Sequence, residues 1–399
     1  MSTSGSANAS PGVSSNPLAR ALSGLRLART GRAVNLLLLD FTPGAVFAGV
    51  QTAFDAASMV SAAAQTDVRL LLLRPTRLSD AQRESFTRAR LEWLTAHFPD
   101  VTWRIVCDDD LESTTYGFDD IWIATHWMTA HALDLAARAG SVDPRRVLYL
   151  VQDYEPDFCS SPTDRDAAES TYKAGFTPVV NTRQVASYLE RKGFGPVDPR
   201  HVFAPRFDSR HLMLAAYARR PRPRATVFFY GRPSKARNLF GLGAAALRRL
   251  VDDLAVDSRD VDFVMAGEAG PDLDLGGVTV RNLGVLERDA YFSMISEVDV
   301  GLTLQATPHP SHLPFDLAVS GAFAVTNEVD GSRNGMHPRI IAADGTPEAL
   351  GAALACALRA ARRTRRPTAG YLPVREGRLG VSLRTALTHA IAHSALLDS

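Results

Sequence analysis

The sequence predicts an α/β protein with two doubly wound domains that face each other across a cleft. Apolar stretches of strand length alternate with helical patterns in both halves of the chain, which is typical of parallel sheets covered by helices. A segment rich in arginine and proline, Arg219–Arg224, separates the two series and has the composition of an exposed linker. The 399 residues are enough for two domains with complete cores.

The first half contains a series of strand-like stretches separated by helical patterns. The predicted strands are Ala33–Leu39, Val68–Leu73, Val101–Val106, Ile121–Ala124, Val147–Val151 and Pro178–Asn181. The helical patterns include Gln51–Ala64, Ser79–His97, Ala130–Ala139 and Arg183–Lys192. We place the first domain at residues 31–218, after a flexible tail at 1–30 that is rich in small and polar residues over Met1–Asn16.

The second series begins after a linker at residues 219–225 and forms a domain at 226–375. Its predicted strands are Thr226–Tyr230, Val261–Ala266, Val278–Gly284, Val300–Leu304 and Ala322–Thr326. Its predicted helices are Glu287–Glu297, Asp316–Ser320 and Pro347–Arg363. The last segment, 376–399, contains a predicted helix at Ser382–Ala395, and one arrangement packs it back on the first domain.

The composition excludes several classes of protein. A formal net charge of +1 argues against a nucleic-acid partner, because phosphate binding requires accumulated positive charge. The three cysteines are widely spaced and indicate free thiols in a reducing compartment. No apolar run approaches the ~20 residues of a membrane span, so we expect a cytoplasmic protein. Peripheral contact with the inner face of the membrane, through Arg219–Arg224 or Arg362–Arg366, stays open.

Cations follow the first strand of the second domain. Thr226–Tyr230 is followed by Gly231, Arg232, Lys235 and Arg237, and then by a helix. Glycine allows a sharp turn, a helix N-terminus favours an anion, and guanidinium groups donate to phosphates in a planar fork. The cluster therefore predicts a diphosphate site, and a solvated basic turn is the alternative.

Other unusual residues fall at neighbouring strand ends. Gly267–Pro271 follows one strand, His309 and His312 follow another, and Asp316 begins the next helix. Because the carboxyl ends of parallel strands meet at one edge of a sheet, we expect these residues near the arginines. The two histidines lack a third ligand, so no metal site is predicted.

These segments together resemble the retaining GT-B glycosyltransferases of glycosyltransferase family 4, whose fold has two Rossmann-like domains. The counterparts of the family motifs are Gly231–Asn238, Gly267–Pro271, Leu283–Tyr291 and Asp316–Gly321. A narrower similarity, to WsaF-type bacterial rhamnosyltransferases, is carried by Gln152–Pro156 and Pro308–His312. Two positions depart from the broader family: Pro308 replaces the first glutamate of a pair, and Asp316 replaces the second.

The resemblance implies that the second domain binds a nucleotide-sugar without a metal ion or other cofactor. Arg232 and Arg237, with Lys235, would neutralise the diphosphate and the charge that grows on it as the glycosidic bond breaks. Asp316 would hold a sugar hydroxyl of the nucleoside. The other implied donor contacts are Gly231, Gly267, Gly284, Val285, Leu286, His309, Ser311, His312 and Leu313.

The resemblance also implies roles for residues of the first domain. Gly49, in the segment Gly44–Gly49 after the first strand, would face the donor diphosphate. His126 would contact the donor sugar, and a histidine packed beside Trp127 is the alternative. Asp153 and Glu155 are candidates for acceptor contacts or proton handling, and their spacing does not assign separate roles.

The function that the resemblance implies is transfer of a sugar, L-rhamnose from dTDP-rhamnose, with retention. The acceptor would be a saccharide or a lipid-linked glycan in surface polysaccharide synthesis. One alternative is a non-catalytic GT-B module that binds a nucleotide or carbohydrate, against which Arg232 and Arg237 argue. Another is a GT-B nucleotide-sugar epimerase, which needs more acid and base groups than Asp153 and Glu155.

Overall fold

The computed structural model describes residues 22, 24–29, 31–43, 46, 48–73, 79–254, 261–363, 371–374 and 377–397. The chain divides into two compact units, Met1–Val179 with Arg384–Ser399, and Val180–Leu383. Most of the predicted tail at 1–30 lies outside the described residues. So do Gly44 and residues 364–366 of the basic run Arg362–Arg366.

The first large sheet is parallel in every described pairing and has the strand order β4-β3-β2-β6-β7-β8-β9, while β1 and β5 form a separate pair. The strands are β1 (Arg26–Ala28), β2 (Val34–Leu38), β3 (Val68–Leu72), β4 (Trp103–Cys107), β5 (Thr115–Gly117), β6 (Ile121–Ala124), β7 (Val147–Val151), β8 (Thr177–Asn181) and β9 (Val202–Phe203). β2 is buried along its whole length and pairs Leu36 with Leu70 and Ile123. Burial on both faces explains why these strands have continuous apolar sequences.

Helices alternate with these strands, as the sequence predicts. They are α1 (Ala48–Ala64), α2 (Asp80–His97), α3 (Trp127–Arg138), α4 (Pro162–Thr171), α5 (Arg183–Arg191) and α6 (Ser209–Ala218). α4 begins where its sequence allows, because Ser161 accepts a hydrogen bond from the Asp164 N–H and Pro162 takes the first helical position.

The second large sheet has the order β12-β13-β11-β10-β14-β15-β16, and among the described pairings only β12 with β13 is antiparallel. Its strands are β10 (Ala225–Gly231), β11 (Val261–Gly267), β12 (Leu273–Asp274), β13 (Thr279–Asn282), β14 (Val300–Leu302), β15 (Phe323–Asn327) and β16 (Ile340–Ala343). The helices are α7 (Phe240–Leu254), α8 (Arg288–Glu297), α9 (Leu313–Val319), α10 (Pro347–Arg363) and α11 (Leu383–Ala392).

Both faces of the second sheet carry a core. Phe229 of β10 packs in a cluster with Leu247 and Leu354 from helices α7 and α10. Its neighbour Phe228 belongs to a second cluster with Phe315 of α9. Consecutive side chains of a strand point to opposite faces, so the sheet is covered on both sides and is doubly wound, as predicted.

The start of α9 corrects the predicted helix. The sequence placed the first residue at Asp316, whereas the helix begins at Leu313. Pro314 is compatible with this start because proline is tolerated in the first turn, where the missing N–H has no helical partner. Asp316 therefore lies inside the helix, in its first turn, and not at its first position.

Three of the four arginines of the Arg219–Arg224 segment form ion pairs within the second unit, and the fourth, Arg220, donates to backbone carbonyls. Arg219 is buried, lies 3.4 Å from Asp299 and donates to the Val298 carbonyl at 2.6 Å. Arg222 pairs with Glu297, and Arg224 pairs with Asp262. These cations are thus already neutralised by nearby carboxylates.

The cysteines agree with the prediction of free thiols, and the helices can be compared with the thickness of a bilayer. Cys107, Cys159 and Cys356 are all free thiols. Within the described part of the chain, no helix is both long and apolar enough to cross a bilayer.

Candidate functional site

The carboxyl ends of β10 and β11 meet at the predicted phosphate turn. Gly231 pairs in register with Gly267, whose φ is +132°. A Cβ at Gly267 would lie 2.9 Å from Cγ of Arg232, so glycine is needed for the arginine to pack here. The Gly267 N–H donates to the carbonyl of Gly284 at 2.9 Å. The structure therefore brings Gly231, Arg232, Gly267 and Gly284 together.

The turn after β10 is held by a carboxylate that sequence reasoning missed. Glu268 accepts hydrogen bonds from the backbone N–H and the hydroxyl of Ser234, at 3.2 and 2.7 Å. These bonds lower the pKa of Glu268, and the charges of Arg232 and Lys235 add to the effect. The conformation of the turn is thus set by protein groups.

The three cations of this turn differ in environment. Lys235 and Arg237 are exposed, whereas Arg232 is half-buried. The Nε of Arg232 is buried and forms no hydrogen bond with any described residue. A buried donor of this kind is costly to leave unsatisfied, so it favours binding of an acceptor such as a phosphate oxygen.

A polar network joins the ends of β10, β14 and β15. The side-chain amide of Asn238 donates to Gln305 at 3.1 Å, and the Ala306 N–H donates to the Arg237 carbonyl at 2.8 Å. Asn327 closes the network: its side chain accepts from the Gln305 N–H and donates to the Gln305 carbonyl, both at 2.9 Å. The segment after β14 is therefore fixed to both neighbouring strands.

The histidines after β14 are neutral. Burial, and secondarily the charges of Arg333 and Arg237, lower the pKa of His309 to about 4. Its Nδ1 accepts from the Ser311 N–H at 3.1 Å, which places the ring proton on Nε2. Burial likewise lowers the pKa of His312 to about 4, and its ring lies edge-on to Phe207.

Asp316 has a partner that the spacing did not reveal. The Tyr291 hydroxyl donates to its carboxylate at 2.7 Å. Burial raises the pKa of Asp316 to about 7, although this hydrogen bond acts in the opposite direction. A carboxyl near half-protonation at neutral pH can either donate to or accept from a sugar hydroxyl.

The other predicted donor contacts divide into exposed and buried positions. Val285 is 73% exposed. Leu286 packs against the core cluster that contains Leu313 and Phe315. Leu313 is buried, so its side chain contributes to the core while its backbone starts α9.

In the first unit, Gly49 lies against the Gln152–Pro156 motif. The Gln152 side chain donates to the Gly49 carbonyl at 3.0 Å. A Cβ at Gly49 would lie 2.9 Å from Oε1 of Gln152. The absence of a side chain at Gly49 therefore permits this contact between the start of α1 and the end of β7.

His126 and Glu155 meet at the N-terminus of α3. His126 is the N-cap, its Nδ1 accepts from the Met128 N–H at 3.2 Å, and burial lowers its pKa to about 4. The Glu155 carboxylate accepts from the Trp127 N–H, at the positive end of the helix. Glu155 thus has a structural partner in the first turn of α3.

Asp153 has a different environment from Glu155. One carboxylate oxygen accepts from the Tyr154 N–H at 2.8 Å, and the Tyr172 hydroxyl donates to the Asp153 carbonyl at 3.3 Å. The Tyr172 ring stacks between Tyr149 and Tyr154, with centroids 5.9 Å away on each side. This aromatic stack fixes the backbone that carries both carboxylates.

Solved structures of low sequence identity share this fold. Anabaena HepE in complex with UDP and glucose has a TM-score of 0.55 at 12% identity, over 90% of this chain and 98% of that chain. Sucrose-phosphate synthase from Thermosynechococcus elongatus has a TM-score of 0.53 at 12% identity, over 91% and 94%. Trehalose 6-phosphate synthase from Burkholderia multivorans has a TM-score of 0.51 at 11% identity, over 92% and 98%. The chain therefore has the GT-B fold of glycosyltransferases.

Family models identify the chain more narrowly. The WsaF N-terminal domain matches residues 33–183 and the WsaF C-terminal domain matches residues 225–355. Together the two matches cover well over half of the chain, which belongs to the WsaF family. O-antigen biosynthesis protein RfbC of Myxococcus xanthus is 36% identical over 219 residues, 52% of this chain. The chain spans 16% of the length of that relative.

Proposed function

We propose that this chain is a glycosyltransferase that moves a sugar from a nucleotide-sugar to a saccharide acceptor in O-antigen or polysaccharide synthesis. Its WsaF domains, its similarity to an O-antigen biosynthesis protein and its GT-B fold support the proposal. The observation that carries it is the half-buried Arg232 at the end of β10, whose Nε lacks a hydrogen-bond acceptor among the described residues.

Arg232, Arg237 and Lys235 supply the positive charge for the donor diphosphate. Charge grows on this group as the glycosidic bond breaks, so cations held in place stabilise the transition state more than the ground state. Glu268 holds the Ser234 turn through two hydrogen bonds, which lowers the cost of ordering the turn when the donor binds.

Asp316 and Tyr291 serve the nucleoside. Their hydrogen bond of 2.7 Å fixes the direction of the carboxyl group, which then meets a ribose or deoxyribose hydroxyl. The backbone of Gly284, Val285 and Leu286 lines the base. An exposed Val285 side chain is compatible with this role, since the contact uses backbone groups.

The donor we propose is dTDP-L-rhamnose, transferred with retention and without a metal ion or other cofactor. The motifs Gln152–Pro156 and Pro308–His312, which resemble those of WsaF-type rhamnosyltransferases, support this choice. The acceptor is a saccharide or a lipid-linked glycan. We assign acceptor contacts and proton handling to Asp153 and the donor-sugar contact to His126. Glu155 orients this region through the Trp127 N–H.

A binding panel tests the proposal. The protein is heated with dTDP, UDP, GDP, ADP and their sugar conjugates, and its midpoint of unfolding is measured. A ligand that binds the folded state alone stabilises it by RT ln(1 + [L]/Kd), about 2.7 kcal/mol at a hundredfold excess over Kd. We expect a selective shift with dTDP and dTDP-rhamnose.

Two variants make the panel specific. Arg232→Ala should lose the shift. Arg339→Ala should keep it, because Arg339 is also half-buried but contacts the Ala318 carbonyl. Selectivity for another base would refute dTDP-rhamnose as the donor and would leave the proposal of a glycosyltransferase intact. No shift with any nucleotide would refute the donor site, and binding without donor hydrolysis or transfer would favour a non-catalytic binding module.

A further inference from the structure

Arg333, in the segment after β15, is a fully buried arginine that sequence reasoning missed. It is 1% exposed. One terminal nitrogen donates to the Asn327 carbonyl at 2.7 Å, the Asn327 side chain at 2.9 Å and the Thr326 hydroxyl at 3.3 Å. The other donates to the carbonyls of Gln305 at 3.1 Å, Thr307, and His309 at 3.4 Å. A single guanidinium therefore joins two segments of the chain.

The segment Gln305–His309 folds around this guanidinium. Every second carbonyl, at Gln305, Thr307 and His309, accepts from the same nitrogen of Arg333. Buried carbonyls outside helices and strands need such a partner, and the planar fork of an arginine can serve acceptors on two sides at once. Arg333 thus replaces the hydrogen bonds that regular secondary structure would supply.

The two ends of the arrangement are also fixed. Glu328 accepts from the backbone N–H groups of Val329 and Arg333, at 2.8 and 2.9 Å, which sets the path of the chain into Arg333. At the other end, Ser311 has φ of +63°, a conformation that side-chain-bearing residues adopt only when their surroundings hold them. The Ser311 N–H donates to Nδ1 of His309 at 3.1 Å.

We propose that Arg333 is a positioning residue for the donor site: it holds Gln305–Ser311 in one conformation and so fixes His309 as the Nε2-protonated tautomer before a nucleotide-sugar binds. The role of Arg333 in donor binding rests on the proposed function. The tautomer of His309 depends on the geometry of the segment alone.

Arg219 provides a matched control. It is a second buried arginine of the same unit, and it donates to the carbonyls of Ile295 at 3.3 Å and Val298 at 2.6 Å. These contacts lie before the amino end of β14, whereas Arg333 acts on the segment that follows β14. Arg219→Met therefore removes a buried guanidinium from the same fold without touching Gln305–Ser311.

The experiment compares the wild type with Arg333→Met, Arg333→Lys and Arg219→Met in the full-length chain. The first readout is the ¹⁵N chemical shift of the two ring nitrogens of His309, assigned by its loss in His309→Gln. We expect a single Nε2-protonated form in the wild type and in Arg219→Met, and averaged nitrogen shifts in both Arg333 variants. Arg333→Lys keeps the charge but cannot reach both sets of carbonyls.

The second readout is the affinity for dTDP, or for whichever nucleotide the wild type binds, measured by calorimetry. Both Arg333 variants should bind at least tenfold more weakly than Arg219→Met, with a rise in donor KM larger than the fall in kcat. If Arg333→Met does not fold, Arg333→Lys is compared with Arg219→Met in its place.

Several outcomes would overturn the proposal. One is an unchanged His309 tautomer in the Arg333 variants, and another is an affinity within twofold of that of Arg219→Met. Wild-type behaviour of Arg333→Lys would show that charge alone suffices and would refute positioning by the guanidinium fork. A wild type that binds no nucleotide would refute the proposed function, whereas the tautomer readout still tests Arg333 separately.

Discussion

Replacing Asp316 by asparagine should stabilise the protein at pH 8 and change its stability little at pH 4. Burial raises the pKa of this carboxyl from 3.8 to about 7, so the folded state favours the protonated form. The stability that the protonated carboxyl contributes is complete below pH 3.8 and is lost as the pH rises through 7. Asparagine stays neutral throughout and can still accept the hydrogen bond from Tyr291.

The size of the effect follows from the shift in pKa. Each unit is worth about 1.4 kcal/mol, which sets an upper limit of about 4 kcal/mol at pH 8. Asp316 is half-buried, so water screens part of this energy, and we expect about 2 kcal/mol.

Three histidines give stability the opposite dependence on pH, because burial lowers the pKa of His126, His309 and His312 to about 4. The stability that these neutral histidines contribute to the folded protein is present above pH 6.5 and is lost as the pH falls through 4.

The assay is urea unfolding of the wild type and Asp316→Asn at pH 4, 6 and 8. Both proteins contain the same histidines, so the difference between their unfolding free energies isolates Asp316. Asp100→Asn, at an exposed carboxylate in the turn before β4, serves as the control and should change stability little at each pH. A difference that is independent of pH, or a loss of stability at pH 8, would refute the reasoning.

Four further outcomes are expected. Arg232→Ala and Arg237→Ala should each lower the transfer rate by more than ~100-fold with the fold retained, because charge stabilisation in such sites is worth ~3 kcal/mol; wild-type rates in both variants would contradict the phosphate assignment. Transfer should persist in excess EDTA, and a chelator-sensitive rate restored by Mn²⁺ would exclude the metal-independent mechanism. Glu155→Gln should lower the free energy of unfolding by ~1 kcal/mol, since it removes a negative charge from the N-terminus of α3. Asp153→Asn should instead lower kcat at saturating donor. If Asp153→Asn destabilises the protein and Glu155→Gln lowers kcat, the two roles are exchanged. Gly49→Ala should be ~1 kcal/mol less stable than Gly241→Ala, because a Cβ at residue 49 would lie 2.9 Å from Gln152, whereas a Cβ at residue 241 would have no atom within 4 Å. Equal denaturation midpoints would show that Gln152 moves without cost.

Most strands of the two large sheets were predictable because parallel strands are buried on both faces, but the edge strand β16, which is only partly buried, was missed. Ile121–Ala124 and Val147–Val151 have the predicted bounds, and the long helix Pro347–Arg363 does as well. β9 and β12, of two residues each, were missed because so short a strand has no periodicity. The start of α9 was misplaced, since Asp316 suits the first turn of a helix as well as its start.

The candidate site was also predictable in part, from the order of the strands. Once the order of strands and helices is known, the residues after parallel strands must lie at one edge of a sheet. Arg232 and Gly267 were found in this way, and their strands are in register. Arg333 gave no such signal, because it is one of 44 cationic residues and stands in no recognised motif.

The sequence by itself determined the α/β fold, the family motifs and the cluster of cations after β10, because these depend on the local order of residue types. Only the tertiary structure decided that Tyr291 bonds to Asp316, 25 residues away, and that Glu155 bonds to the Trp127 N–H, 28 residues away. It likewise placed the Arg333 guanidinium among carbonyls up to 28 residues distant. Burial and partners set the pKa of a carboxyl group and the tautomer of a histidine, and both arise when distant segments of the chain pack together.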